Sequence, residues 1–306
     1  MFQNRAALAS VGELSTSEFR QVMNLSNSYA RLLSLREFQN WSKVWEYPWI
    51  WTHLLGNQNW VGKRLLDIGT ELSPMPWVLS AFGAEVTLVE SDPQWIRHWE
   101  KAQGTLKTLV SWAIVSDETV PFESESFDFV TSFSVIEHQR SKEKAINEVA
   151  RILKPGGVFG ISFDICEREM GMSFPEWDGS AMTLKEFEDI IWFHPIFHNH
   201  DRPAWNYSDI QPFLQWHLAT ASHRNYVVGA AVLKKRDLED YTHSMFGSAE
   251  AEFQSPRLKK STPEQVSDAL AAANPHTEPD SLVEADSPLV APRRIQTGQN
   301  SLSAVT

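Results

Sequence analysis

Between residues 64 and 165 the sequence alternates short apolar runs with segments of helical periodicity. Five runs have the length and the β-branched or aromatic content of buried strands. They are RLLDIG (64–69), EVTLVE (85–90), SWAIV (111–115), FDFVTSFSVI (127–136) and GGVFGISFDI (156–165). Helical or turn-rich segments separate most of them, and the last helical segment ends in Pro-Gly-Gly, a common helix stop. This alternation predicts a parallel sheet with right-handed crossovers, in which ligands bind at the carboxyl ends of the strands.

Segments of different character flank this region. Residues 17–55 have helical periodicity with Trp41 and Trp45 on one face, and Pro48 predicts a break or restart of the helix. The run YVVGAAVLKK predicts a late strand, and the polar, proline-rich chain after it predicts disorder. We therefore predict an α/β fold with a Rossmann-like, mostly parallel, seven-stranded sheet flanked by helices. Its predicted parts are an N-terminal helical cap (1–59), the α/β domain (60–235) and a disordered tail (236–306).

Charge and cysteine content predict the environment and the partners. The net charge of −12 and the pI near 5.3 disfavour an extended phosphate-binding surface, so we expect a small-molecule substrate and no nucleic acid. The single Cys166 cannot form an internal disulfide, and the first residues lack the pattern of a secretory signal. No stretch approaches the roughly 20 apolar residues that span a bilayer, so we expect no membrane partner and a cytoplasmic location.

The most informative stretch follows the first predicted strand. Asp67, Ile68 and Gly69 form a tight turn into a helix, and the second predicted strand ends in Glu90. A glycine at this position lets the backbone approach a ligand, and a carboxylate after the second strand can accept hydrogen bonds from both ribose hydroxyls. By itself, this unit is shared by several classes of nucleotide-binding domain.

Further motifs in the same order resemble those of class I S-adenosylmethionine-dependent methyltransferases, specifically the type 11-like enzymes. Ser116-Asp117 follows the third strand, VPFESESFDFVTSFSVIEH leads through the fourth, and EVARILKPGGVFGISF leads into the fifth. The resemblance covers about residues 64–164 and implies S-adenosylmethionine as the cofactor. The cofactor-binding residues that it implies, or that adjoin its motifs, are Tyr47, Asp67, Gly69, Glu71, Glu90, Ser91, Asp117, Glu118 and Ser134.

The turn departs from the family pattern, in which two further glycines follow Gly69. Here Glu71 and Ser73 occupy those positions, and Pro74 comes next. A carboxylate at Glu71 would repel a pyrophosphate, whereas the cationic sulfonium and ammonium groups of S-adenosylmethionine tolerate it. The substitution therefore argues against an NAD-linked oxidoreductase, the first alternative function. A non-catalytic cofactor-binding module of the same fold is the second alternative.

Two residues are candidates for the base that an alcohol acceptor would need. His138 ends the fourth predicted strand, and an imidazole suits proton transfer near neutral pH; Asp164 ends the fifth predicted strand. A hydrogen-bonded histidine that opens the next helix is an equally good interpretation of His138. The acceptor atom is O, N or C, and a sugar or secondary metabolite fits the acidic, tryptophan-rich composition. We predict no metal site: His194, His198 and His200 lack a metal-binding frame and favour a pocket or surface loop.

Overall fold

The structure is a computed structural model that describes residues 3–108, 110–116, 119–166, 180–197, 199–203 and 226–237. Within these residues eight strands form one sheet. In chain order the strands are β1 (Arg5–Leu8), β2 (Arg64–Ile68), β3 (Glu85–Glu90), β4 (Val110–Ile114), β5 (Phe127–Phe133), β6 (Leu153–Cys166), β7 (Met182–Thr183) and β8 (Val227–Lys234).

The order across the sheet is β1-β8-β6-β5-β2-β3-β4, with β7 beside one end of β6. The pairs from β6 to β4 are parallel, and β8 and β1 add an antiparallel edge. The chain runs outward from β2 to β3 and β4, then returns to β5 on the other side of β2. This reversal opens a crevice at the carboxyl ends of β2 and β5, where open α/β sheets bind their ligands.

Helices connect and cover the strands. They are α1 (Ser17–Leu33), α2 (Trp41–His53), α3 (Met75–Ala81), α4 (Ile96–Leu106), α5 (Lys142–Ile152) and α6 (Leu184–Glu186), which continues as a π-helical segment (Phe187–Trp192). Side chains cap two of the longer helices: Thr16 accepts a hydrogen bond from the N–H of Phe19, and Ser141 accepts one from Lys144. None of the helices in the described ranges is long and apolar enough to cross a membrane.

Helix α2 packs onto the sheet through a continuous apolar core. Trp45 in α2, Trp77 in α3 and Trp99 in α4 are all fully buried, and Ile50 and Leu54 belong to the same core. Burial of each large side chain contributes roughly 1.5–3 kcal/mol of transfer free energy. The helical cap therefore shares one core with the sheet.

The α/β fold predicted from the sequence is confirmed, with three differences of detail. The described sheet has eight strands because the short β1 pairs with β8, so the cap region begins with a strand. The predicted break or restart of the helix at Pro48 is wrong: Pro48 lies inside α2, where buried aromatic neighbours offset its missing N–H hydrogen bond. Strand β5 ends at Phe133, before the predicted limit at residue 136. The predicted tail lies outside the described residues from position 238 onward, and the domain limits stay predictions.

Candidate active site

Asp67 connects the two strands that flank the crevice. It is buried at the end of β2, and its carboxylate accepts hydrogen bonds from Thr131 Oγ1 in β5 at 2.5 Å and from Thr70 Oγ1 at 2.7 Å. Burial raises the pKa of Asp67 to about 6, although the two hydroxyl donors favour its charged form. The Asp67 side chain thus fixes the turn after β2 against β5.

Gly69 holds a conformation that other residues adopt only with strain. Its φ is +71°, and a Cβ atom built on it would lie 2.2 Å from Cγ2 of Val135. Its N–H donates a hydrogen bond to the carbonyl of Val89 at 2.8 Å. The turn and the segment after β5 therefore approach each other so closely that only glycine fits.

The next positions of the turn fix the orientation of Glu90. The backbone N–H of Glu71 donates to Glu90 Oε1 at 3.0 Å, and the N–H of Ser91 donates to Oε2 at 2.9 Å. Burial raises the pKa of Glu90, and these two backbone hydrogen bonds act in the opposite direction. A carboxylate accepts about four hydrogen bonds, so lone pairs on both oxygens are left for a ligand.

Glu71 itself occupies the left-handed region, at φ +43°. Its half-exposed carboxylate forms a salt bridge of 3.0 Å with Arg36, in the loop between α1 and α2. Its carbonyl accepts a hydrogen bond from Trp99 Nε1 at 2.7 Å. The backbone of Glu71 therefore belongs to the turn, whereas its side chain points to the cap region.

We expect the Glu71→Gly variant to keep its affinity for S-adenosylhomocysteine and its free energy of unfolding within about 1 kcal/mol of the wild type. Glycine retains the N–H that contacts Glu90 and relieves the positive φ, and the lost salt bridge with Arg36 is exposed. Calorimetry and urea unfolding measure the two quantities. A loss of affinity well beyond that range would show that the carboxylate of Glu71 contributes to the site.

Tyr47 anchors α2 over the turn. Its hydroxyl donates to Ser73 Oγ at 2.8 Å, and its ring packs edge-on against Phe133 with the centroids 4.7 Å apart. Burial raises the pKa of Tyr47 well above its ordinary value. Tyr47 therefore remains a neutral hydroxyl that joins the cap region to the turn after β2.

The remaining candidates lie at the carboxyl ends of β5 and β6. Ser134 has φ +56°, and its Oγ donates to Glu46 Oε1 at 2.9 Å. His138 ends a short 3₁₀ turn, and its N–H donates to the carbonyl of Val135 at 2.9 Å. Asp164 is buried near the end of β6. The structure thus places all three at the predicted edge of the sheet, and their functional roles stay predictions.

Three of the singled-out residues, Asp117, Glu118 and His198, lie outside the described residues. Nε2 of His194 lies 3.1 Å from Asn147 Oδ1, and burial lowers the pKa of His194. In the described ranges no group of three or more His, Cys, Asp or Glu side chains is arranged to hold a metal ion.

Sequence reasoning missed a buried polar cluster beside these candidates, formed by Lys43, Glu46, Glu137 and Ser162. Two signals pointed to it. Glu46 is a charged residue within the aromatic run WEYPW, and Glu137 directly follows the run that ends at Ile136. Neither residue is among the predicted site residues, in contrast to their neighbours Tyr47 and His138.

Comparison with known proteins identifies the class that this fold and turn define. Residues 66–161 match the family model described as a methyltransferase domain. This part of the chain is similar to methyltransferase domains, which agrees with the resemblance to class I S-adenosylmethionine-dependent methyltransferases that its motifs indicate. The match begins within β2 and ends within β6, so it contains the turn, Glu90 and the end of β5.

Curated relatives and solved structures extend the comparison. The tRNA U34 carboxymethyltransferase of Pseudomonas aeruginosa (strain LESB58) is 31% identical over 154 residues, which cover 49% of this chain and 46% of that protein. The enzyme of the same name from Azotobacter vinelandii is 25% identical over 160 residues, with the same coverage. The chain therefore spans about half the length of these relatives. Phosphoethanolamine N-methyltransferase 2 of Haemonchus contortus, solved with S-adenosyl-L-methionine, is 19% identical with a TM-score of 0.45, covering 59% of this chain and 50% of that one.

These relatives correct one expectation. A small-molecule substrate and the exclusion of nucleic acid were predicted from the net charge, but the curated relatives are named for a tRNA substrate. Net charge fails as a criterion because it sums over the whole chain, whereas a nucleic acid contacts one local surface.

Proposed function

We propose that this chain binds S-adenosylmethionine at the turn after β2 and transfers its methyl group to an O, N or C nucleophile. The observation that carries the proposal is the geometry of Glu90. Its carboxylate is fixed by two backbone N–H groups at the end of β3, and it retains lone pairs that can accept both ribose hydroxyls of an adenosyl group.

The residues of the turn fit this cofactor. Gly69 lets the turn pack against Val135, and this packing holds the turn beside the carboxylate of Glu90. The buried carboxylates of Asp67 and Glu90 give this edge a negative potential, which suits a sulfonium and an ammonium and disfavours a pyrophosphate.

The bound cofactor would supply an electrophilic methyl group and a thioether leaving group. The protein would contribute mainly by positioning the acceptor and by excluding water. Tyr47 holds α2 over the turn through Ser73, which covers one side of the crevice. His138 and Asp164 lie at the carboxyl ends of β5 and β6, where either could accept the proton of an alcohol acceptor.

The Glu90→Ala variant tests the proposal. We expect it to weaken binding of S-adenosylhomocysteine by about 1–3 kcal/mol in calorimetry, because the hydrogen bonds to an ionised acceptor are lost. Glu85→Ala is the matched control, since Glu85 is exposed at the opposite end of the same strand. Equal affinities of wild type and Glu90→Ala would remove Glu90 from the site and contradict the proposal.

The curated relatives favour a second candidate, the transfer of a carboxymethyl group to tRNA. The donor would then carry an extra carboxylate, which needs a cation nearby. Lys43 in α2 supplies one at the carboxyl end of β5, where its Nζ also donates to Glu46 Oε2 and to the carbonyl of Phe133. Incubation of the chain with unmodified tRNA and either donor, followed by mass spectrometry of the nucleosides, distinguishes the two reactions. Carboxymethyl transfer alone would favour the second candidate.

A further inference from the structure

The buried polar cluster lies where α2 crosses the carboxyl ends of β5 and β6. Glu46 from α2 and Glu137 from the turn after β5 are 0% and 1% exposed. Burying a carboxylate is costly unless it has hydrogen-bond donors or a counter-charge. The donors available to each carboxylate therefore show whether the cluster is complete.

Glu46 is fully supplied with partners. Its Oε2 accepts from Lys43 Nζ at 2.8 Å and from Ser162 Oγ at 2.8 Å, and its Oε1 accepts from Ser134 Oγ at 2.9 Å. Lys43 Nζ also donates to the carbonyl of Phe133 at 3.2 Å. Glu46 thus fixes α2 to both strands, and its own requirements are met within the protein.

Glu137 differs from Glu46 in this respect. Neither of its carboxylate oxygens has a hydrogen-bond partner among the residues that the structure describes. Its backbone is well held, because its carbonyl accepts from the N–H of Ser180 at 2.8 Å and it lies inside the 3₁₀ turn Ile136–His138. The backbone N–H groups of Glu137 and Asp164 act on this carboxylate, but neither makes a hydrogen bond of good geometry to it, so both oxygens can still accept donors from a ligand.

The charge of the cluster indicates the kind of donor. Lys43 Nζ pairs with Glu46 at 2.8 Å, and among the described residues no ion pair to Glu137 is found, so an ionised Glu137 leaves an uncompensated negative charge in a buried space. A neutral hydroxyl would satisfy only the hydrogen bond, whereas a protonated amine satisfies the hydrogen bond and the charge. We propose that Glu137 binds an alkylammonium group of the acceptor substrate at the carboxyl end of β5. This inference rests on the proposed function only in calling that ligand the acceptor.

The experiment titrates the 306-residue chain with n-propylammonium chloride and, separately, with 1-propanol, at constant ionic strength and with saturation-transfer NMR as the readout. We expect propylammonium to bind in preference to propanol. The Glu137→Gln variant should weaken propylammonium binding about tenfold or more, because a charge-assisted hydrogen bond is lost. Glu143→Gln, at an exposed position of α5, is the matched control and should bind like the wild type.

A second variant gives an effect of opposite sign. Lys43→Gln removes the ammonium group that competes for the negative charge, so it should bind propylammonium more tightly than the wild type. A purely structural role of the cluster would not produce opposite effects at Glu137 and Lys43. Equal binding of propylammonium and propanol, or unchanged propylammonium binding in Glu137→Gln, would overturn the proposal.

Calorimetry with S-adenosylhomocysteine on the same samples separates this inference from the proposed function. If the wild type binds propylammonium but not S-adenosylhomocysteine, the proposed function is refuted and the role of Glu137 is not. If the wild type binds S-adenosylhomocysteine but does not prefer propylammonium to propanol, the role of Glu137 is refuted and the proposed function is not.

Discussion

The Gly69→Ala variant is expected to lose about 2–5 kcal/mol of its free energy of unfolding. Two costs add: a left-handed φ costs an L-residue roughly 1–2 kcal/mol, and overpacking costs roughly 1–3 kcal/mol. The new methyl group would lie 2.2 Å from the Val135 side chain, so the turn or the segment after β5 must move. Urea unfolding followed by tryptophan fluorescence measures the loss.

Two other glycines separate these costs. Gly62 also has a positive φ, but a Cβ there would meet nothing within 4 Å, so Gly62→Ala should show only the conformational cost. Gly104 lies in α4 with open space around it, and Gly104→Ala should stabilise the protein by about 0.5–1 kcal/mol. If Gly69→Ala loses no more free energy of unfolding than Gly62→Ala does, the close approach to Val135 does not restrict the residue at position 69.

The Glu137→Gln variant should become more stable relative to the wild type as the pH rises. Burial, with a further contribution from Glu46, raises the pKa of Glu137 from 4.5 to about 7, against the opposing effects of Lys43 and of nearby backbone N–H groups. The folded state therefore binds the proton more tightly than the unfolded state does. The protonated Glu137 side chain therefore contributes fully to stability below pH 4.5, and this contribution is lost as the pH rises through about 7. This loss changes the free energy of unfolding of the wild type by about 3 kcal/mol over this range.

Urea unfolding of both proteins at pH 5 and pH 8.5 tests this expectation. The difference in free energy of unfolding between the two proteins isolates the contribution of Glu137, because Asp67 titrates in both proteins. Glu143→Gln, on the surface of α5, should show no comparable change with pH. A difference that stays constant between the two pH values would mean that Glu137 titrates normally.

The sequence predicted the sheet well because local patterns and the global fold agree there. The runs that became β2, β3 and β4 are short and apolar, and each matches its predicted limits to within one residue. β1 was missed because a four-residue edge strand has too few residues to show a period. Pro48 was misjudged because burial of its neighbours outweighs local propensity, which only the tertiary structure reveals.

The site was predicted where its residues are close in sequence. Asp67, Gly69 and Glu90 belong to one strand-turn-helix-strand unit, and their spacing alone places them at one edge of the sheet. The cluster of Glu46 with Ser134 and Ser162 joins residues that are 88 and 116 positions apart. No local pattern encodes such contacts, which arise only when α2 packs over the carboxyl ends of β5 and β6.

The central claim is that the turn from Gly69 to Ser73 and the carboxylate of Glu90 hold an adenosyl sulfonium cofactor. Calorimetric titration of the chain with S-adenosylhomocysteine and, side by side, with NADH tests it most directly. We predict binding of S-adenosylhomocysteine and none of NADH, because the carboxylates of Asp67 and Glu90 repel a pyrophosphate. Binding of NADH without binding of S-adenosylhomocysteine would contradict the assignment of this site.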